Sequence, residues 1–332
     1  MEINKVNCSN PAYHKEQICL SEKGHNQETV KSLRCKMIIL DNLPGRKERN
    51  FPLRDLTTWK IGGPAELIYW PSDWQSLAEA VRLAEAASLP VWIIGRGSNL
   101  LIADEGLPGL TIVSTDLQKI AWGDFRVRVE AGYSLARLAW ETGERGWKGL
   151  EFASGIPGTV GGAIIMNAGA FGGEISQSVV RVWVLVSGEV LELSRAELQF
   201  TYRQSSLRGK AWILEAEFIF EPGDRKGLMC IMKNSLAKRK ASQPLNLPNA
   251  GSVFRNPPGD SAGRLLDAAG WKGKSRGGAR VSEKHANFIV NTGLATAADV
   301  LGLIGDIRND ILKKFGIDLQ PEIEYLGAGG SV

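Results

Sequence analysis

Two glycine-dense segments carry the first chemical signal in this chain. Gly95-Arg96-Gly97-Ser98-Asn99-Leu100-Leu101 follows a short apolar run, and Gly155-Ile156-Pro157-Gly158-Thr159-Val160-Gly161-Gly162 precedes another. Glycine has no Cβ to block close approach and tolerates positive φ, so successive N–H groups can converge on an anion. Ser98 and Asn99 add side-chain donors to the first loop, and a helix opening at Thr159 adds its positive end to the second. Both loops suit a phosphate-bearing ligand, and each taken alone also suits an ordinary tight turn. Neither has Rossmann spacing: GRGSNLL lacks the third glycine of GxGxxG, and no GxxxxGK[ST] occurs in the chain. A standard dinucleotide fold is therefore not the reading.

Loops of this kind need a scaffold, and 332 residues with 43% hydrophobic content suffice for two or three compact domains. The formal net charge of +4 is spread along the chain, too mild to argue for nucleic acid but suited to an anionic small ligand. No run approaches the roughly 18 apolar residues of a membrane span. Cys8, Cys19, Cys35 and Cys230 lie far apart and, with His14 and His25, match no zinc module, so neither a metal site nor a disulfide framework is expected. The segment CKMIIL (35–40) is too short for a signal-peptide core, and a reducing cytoplasm fits best.

Residues 1–50 are rich in Asn, Lys, Glu and Ser without apolar periodicity and read as a tail, the folded part beginning near Phe51. Trp74, Leu77, Ala78, Val81 and Leu83-Ala84 predict a helix over 73–88, which Pro90 ends before the strand VWIIG. LTIVS, RVRVEAG, VVRVWVLVS with GEVLELS, and AWILEAEFIF predict strands, with SLARLAWETGERG as an amphipathic helix among them. After Pro222-Gly223 the pattern predicts helices over about 224–240, 261–269 and 296–315, then a closing strand in GIDLQPEIEYLG. The fold class is α+β, with a second domain beginning near 223.

At this point particular motifs matter. DLTTWKIGGPAEL (55–67), IGRGSNLLIADEGLPGL (94–110) and GLEFASGIPGTVGGAIIMNAGAFGGEI (149–175) resemble the FAD-binding domain of the UDP-N-acetylenolpyruvoylglucosamine reductase family. Shorter versions occur across the vanillyl-alcohol-oxidase-like (PCMH) flavoproteins. FTYRQSS (200–206), the stretch 243–291 containing AGSVFRNP and SEKHANFIVN, and LQPEIEYLG (319–327) resemble the reductase family alone. The resemblance covers roughly residues 51–327. It implies a two-part FAD-binding domain over 51–222 (about 51–115 and 116–222), a smaller α+β substrate-binding domain over 223–318, and a C-terminal strand and tail over 319–332.

The same resemblance implies an enzyme with noncovalent FAD and NADPH as cosubstrate. Its reaction would reduce the enolpyruvyl ether of UDP-N-acetylglucosamine to UDP-N-acetylmuramate, a cytoplasmic step of peptidoglycan precursor synthesis with no obligate protein partner. The first loop, through Gly95, Gly97, Ser98, Asn99 and Leu100, would hold the FAD pyrophosphate. The second, through Gly155, Gly158, Thr159, Gly161 and Gly162, would run along the flavin, with Asn167 and Gly169 close behind it.

Arg203, Ser252 and Glu322 match the family's catalytic positions. Hydride addition to the terminal vinyl carbon leaves negative charge on the adjacent carbon and its carboxylate, which Arg203 would hold through its fork of donors. A glutamate beside an enolate helps only when protonated or when orienting another donor, so a raised pKa is expected of Glu322. Ser252 would protonate the carbanionic carbon, and a nearby lysine or arginine is expected to stabilise the alkoxide left behind. Tyr202, Asn256, Lys272 and His285 stand where the family binds its UDP-sugar. In isolation each of these residues has an ordinary reading: a turn serine, a surface ion pair, an exposed strand glutamate, a satisfied histidine.

Trp59-Lys60 departs from the aromatic-arginine pair of many members, and the short separation of Arg203 from Ser252 resembles the subtype without an extra substrate-covering loop. Two other readings are an FAD-dependent oxidase built on the same FAD domain and a catalytically silent UDP-sugar-binding scaffold. The first would lack AGSVFRNP and PEIEYLG; the second would have lost Arg203, Ser252 or Glu322.

Overall fold

The computed structural model describes residues 43–327, so most of the expected N-terminal tail and the last five residues lie outside the described residues. Its first sheet is four-stranded, in the order Gly45–Pro52, Pro64–Pro71, Leu107–Val113, Val91–Ile94. The first pair is antiparallel and the others are parallel. The apolar run LIYW in the second strand is buried, and the helix Trp74–Ala86 adds the stripe Leu77, Ala78, Val81 and Ala84. Asp73 starts that helix by accepting the Ser76 N–H at 2.7 Å.

Folding begins earlier than the expected start near Phe51, because Gly45–Pro52 pairs along the whole of Pro64–Pro71. The strand lies at the sheet edge and most of its residues are exposed, so GRKERN carries charge where an inner strand would carry valine. Polar composition therefore concealed it.

The second sheet is five-stranded and antiparallel, in the order Glu189–Ser194, Val179–Val186, Trp212–Ile219, Arg126–Glu130, Ile120–Trp122. Val127, Val129, Val182, Val184, Ala216 and Phe218 build a core with the helices Leu135–Glu144 and Val160–Ile165. On the other face Arg126, Arg128 and Arg181 pair with Glu215 and Glu217, the period-2 alternation of a half-solvated sheet.

The remaining residues form the helices Arg225–Ser242, Ala262–Ala268 and Ala297–Phe315 and a three-stranded sheet of Ser275–Arg276, Ala279–Val281 and Ile289–Asn291. The core of the last two helices and this sheet includes Trp59 and Leu101 from the N-terminal half, whereas Met232 of the first helix packs into the core of the five-stranded sheet. Trp59 is fully buried; its indole N–H donates to the Ile289 carbonyl at 2.8 Å and its own carbonyl accepts from Asn291 Nδ2 at 3.0 Å. Asp104 crosses the same boundary, its carboxylate accepting the Ala297 and Ala298 N–H groups at the start of the last long helix. The closing strand is shorter than expected. Only Glu324–Leu326 is regular, parallel to Leu100–Ile102, because Pro321 offers no N–H and makes a single bridge with Phe254. Among the described residues no helix is long and apolar enough to cross a membrane, and no His/Cys/Asp/Glu group could hold a metal.

Candidate active site

Three segments far apart in sequence meet at Glu322. On one side its N–H donates to the Val253 carbonyl at 2.7 Å, and the Arg255 N–H donates to the Gln320 carbonyl at 2.9 Å, which lays the Ser252–Arg255 segment antiparallel to 320–322. On the other side Asn99 of the first glycine loop donates Nδ2 to the Glu322 carbonyl at 3.0 Å, and its own carbonyl accepts the Glu324 N–H at 2.9 Å. Leu100, directly after Asn99, opens the strand that pairs with Glu324–Leu326.

The third segment is the hairpin Phe200–Ser205, whose tip is Tyr202-Arg203. Arg203 sits in the left-handed region at φ +58°, a conformation that costs about 1–3 kcal/mol in a non-glycine residue. That turn aims its guanidinium: Nε meets Glu322 Oε1 at 2.8 Å and Nη2 donates to the Gly169 carbonyl at 2.7 Å. Asn167 secures the hairpin from below. It is fully buried at φ +42°, donates Nδ2 to the Thr201 carbonyl at 3.0 Å and accepts the Ser176 N–H at 3.1 Å. Its side chain therefore braces Arg203 and the loop carrying Gly169.

Burial pushes the Glu322 carboxyl above the ordinary glutamate range, against the pull of the Arg203 ion pair and of Arg255. Arg255, three residues along the segment from Ser252, adds its charge beside Glu322. Its Nε is buried without a hydrogen-bond partner among the described residues. Ser252 is half-buried after Gly251, which adopts φ +81°.

The two glycine loops spend their backbone donors differently. In the first, the N–H groups of Arg96, Gly97, Ser98 and Asn99 have no partner among the described residues. Gly97 adopts φ +59°, and a Cβ there would lie 2.3 Å from the Leu56 carbonyl oxygen. Ser98 Oγ donates to the Pro157 carbonyl at 3.1 Å, and a Cβ on Gly95 would lie 2.6 Å from Thr159 Oγ1, so the loops touch. In the second loop Gly158 (φ +127°) faces Ser98, and the N–H groups of Gly158 and Thr159 have no hydrogen-bond partner among the described residues, whereas those of the helix that follows are bonded within the protein. The helix Val160–Ile165 has only six residues, and the N–H groups of Val160, Gly161 and Gly162 are bonded to the Tyr133 carbonyl, the Ala131 carbonyl and Thr159 Oγ1. A bridge between Ser134 and Thr159 draws this turn onto the start of the helix Leu135–Glu144. Gly161 is required for packing, since a Cβ there would lie 2.9 Å from that of Ala131, and Gly162 is exposed.

A cleft of about 590 Å³ opens beside the loops, with Lys60, Arg96 and Ser98 on one wall and Gly155, Arg239 and Gln243 on others. Arg239 has no ion-pair or hydrogen-bond partner for its side chain among the described residues, and burial pulls its pKa down. Its role was not visible in the sequence, where it is one of four basic residues in KRK and its surroundings. Free amides, a φ-positive glycine and unpaired cations around one cleft fit a diphosphate-bearing group such as FAD.

The expected sugar-binding residues are spread more widely. Tyr202 is exposed at the hairpin tip, its ring 5.1 Å from the Arg203 guanidinium. Asn256 accepts the Ala262 N–H at 3.1 Å, and Lys272 pairs with Asp267 at 2.7 Å. His285 Nδ1 accepts the Asn287 N–H at 3.2 Å and its ring meets Phe288 edge-on; burial and then the charge of Lys272 push its pKa down. Among the described residues no hydrogen bond or ion pair joins Lys272 or His285 to Arg203, Ser252 or Glu322.

Residues 65–194 match the family described as FAD binding domain, and residues 243–326 match the UDP-N-acetylenolpyruvoylglucosamine reductase C-terminal domain. UDP-N-acetylenolpyruvoylglucosamine reductase 2 of Symbiobacterium thermophilum is 46% identical over 89% of this chain and 96% of its own length. The reductase of Synechococcus sp. strain WH7803 is 45% identical over 85% of this chain and 94% of its own. The crystal structure of UDP-N-acetylenolpyruvylglucosamine reductase from Thermus caldophilus superposes with a TM-score of 0.73 at 34% identity, covering 85% of this chain and 99% of that one. With two matched domains, relatives of this identity over most of the chain and a solved structure of the same architecture, the chain belongs to the UDP-N-acetylenolpyruvoylglucosamine reductase family.

Proposed function

We propose that this chain reduces the enolpyruvyl ether of UDP-N-acetylglucosamine to UDP-N-acetylmuramate in the cytoplasm, a step of peptidoglycan precursor synthesis, with NADPH as reductant and noncovalent FAD. Residues 51–222 would hold the cofactor, 223–318 the UDP-sugar, and 319–327 would join them. The observation that carries the reading is the 2.8 Å pair of Arg203 and Glu322, formed between distant segments beside the strand of Ser252.

FAD held against the glycine loops would supply the hydride chemistry, drawn from NADPH, for the terminal vinyl carbon. The free N–H groups of 96–99 would hold its pyrophosphate. Arg203 has Nε and one Nη2 donor committed to Glu322 and Gly169, which fixes the guanidinium plane and leaves its remaining donors for the substrate carboxylate. Those bonds strengthen as enolate charge builds, which lowers the barrier rather than merely tightening binding. Ser252 Oγ–H gives its proton to the carbon bearing the carboxylate, forming the second new C–H bond, and the charge of Arg255 favours the alkoxide until solvent returns the proton. Glu322, whose pKa burial raises, orients Arg203 through their 2.8 Å pair.

The absorption spectrum of the purified protein tests this reading. A flavin spectrum bleached by NADPH and restored without oxygen by the enolpyruvyl UDP-sugar is the expected result. A protein that cannot be reconstituted with FAD, or whose reduced flavin the UDP-sugar fails to reoxidise, rejects it.

A further inference from the structure

Among the described residues no hydrogen bond holds the Ser252 hydroxyl, so its aim depends on the main chain. Before it stands Gly251, in an αL-type conformation with open space around it. After it the chain is irregular, with one bridge at Phe254. What fixes this segment is Asn287, a residue 3% exposed. Its Oδ1 accepts the Phe254 N–H at 2.9 Å, its Nδ2 donates to the Phe254 carbonyl at 2.8 Å, and its own carbonyl accepts the Val253 N–H at 2.9 Å.

Three bonds from one residue thus add to the pairing with 320–322, where this stretch has no second strand beside it. A buried amide is costly unless both ends are satisfied, and here the backbone of a single residue, Phe254, satisfies both. The Val253 carbonyl in turn accepts the Glu322 N–H, so the same clamp sets the strand of Ser252 against that of Glu322. His285 extends the chain of contacts by accepting the Asn287 N–H.

We infer that Asn287 is a positioning residue for the proton transfer: it holds the Val253–Phe254 backbone so that the Ser252 hydroxyl meets the substrate carbon at the required distance. This rests on the proton-donor reading of Ser252. It differs from a purely structural bracket in one respect, that its effect on turnover passes through Ser252.

The test uses FAD-loaded protein in anaerobic stopped flow, reduced by NADPH and reoxidised by the enolpyruvyl UDP-sugar. For Asn287→Ala we expect reduction within about 2-fold of wild type and reoxidation slowed ~10–100-fold, the scale of an ångström-sized misplacement. The solvent deuterium isotope effect on reoxidation should rise. Asn287→Gln, which retains both amide groups one methylene farther out, should fold and fall between wild type and Asn287→Ala. In a Ser252→Ala background Asn287→Ala should add nothing further, because residues acting as a unit are non-additive. Independently of turnover, amide hydrogen exchange at Val253 and Phe254 should accelerate at least ~10-fold in Asn287→Ala and not in Ser252→Ala.

Equal slowing by Asn287→Ala with and without Ser252, equal slowing of both half-reactions, or unchanged exchange at Phe254 would each overturn the inference. If Ser252→Ala alone leaves reoxidation intact, the proton-donor reading fails and the inference falls with it, an outcome recognisable because it involves no change at Asn287.

Discussion

In the first glycine loop the N–H groups of Arg96 to Asn99 are free among the described residues, whereas the second divides: those of Gly158 and Thr159 are free and those of Val160 to Gly162 are bonded to Tyr133, Ala131 and Thr159. Both loops are glycine-rich for steric reasons, but the obstacle differs. Gly97 lets the chain turn past Leu56 and leaves its donors facing outward; Gly161 lets a helix lie against Ala131 with its donors already used. Glycine content alone thus cannot separate a ligand cradle from a packing joint. The fate of the amides does.

The largest effect should come from Gly97→Ala. Its Cβ would fall 2.3 Å from the Leu56 carbonyl oxygen at a φ that alanine rarely adopts, so the loop must move. Flavin affinity should drop by at least ~100-fold, read by fluorescence titration of the apoprotein; a holoprotein of ordinary affinity would break the comparison at its stronger end.

Gly161→Ala should do the reverse. The clash with the Ala131 methyl at 2.9 Å should cost ~1–3 kcal/mol by overpacking, read as a lower Tm and urea midpoint. In protein that remains folded, flavin affinity should stay within ~3-fold. A loss of affinity without a loss of stability would make Gly161 part of the cradle after all.

Asn99→Ala sharpens the contrast, because Asn99 belongs to the free loop yet its side chain serves Glu322. Removing one hydrogen bond costs about 1 kcal/mol. The expected result is FAD affinity within ~5-fold of wild type but reoxidation by substrate slower by about 5–10-fold; an affinity loss with normal reoxidation would assign the side chain to the cofactor instead.

The smallest effect concerns pH. Burial raises the Glu322 pKa in the folded protein above its unfolded value, so the native state binds more protons there than the unfolded one. Stability linked to this group is fully present below the unfolded pKa and is lost as pH rises through the folded one. Glu322→Gln should flatten this part of the stability–pH curve, measured by urea denaturation from about pH 4 upward; a wild-type slope in the variant would place the proton elsewhere.

Elements with regular periodicity were legible in the sequence. The spacing of Val300, Ile304, Ile307 and Ile311 marks the face that the helix Ala297–Phe315 buries, and the strand 179–186 lies where VVRVWVLV stands. The edge strand Gly45–Pro52 was not, because an exposed edge selects charge rather than alternation. At the site, the meeting of 203, 252 and 322 follows from no local spacing; only the family resemblance pointed to it. Asn287 and Arg239 escaped notice for a related reason. What distinguishes them is partnership, three bonds to one segment in the first case and none for the side chain in the second, and partners are assigned only by the folded chain.

Trp59 bears on how this protein can be taken apart. Its indole occupies the core of the C-terminal half while its backbone belongs to the N-terminal one. A fragment cut near 223 would therefore carry an indole-sized hole, and its complement a bare tryptophan. Neither piece makes a sound expression target for ligand screening or crystallography, and chemical unfolding of the intact chain should show one transition at which tryptophan emission and far-ultraviolet dichroism change together.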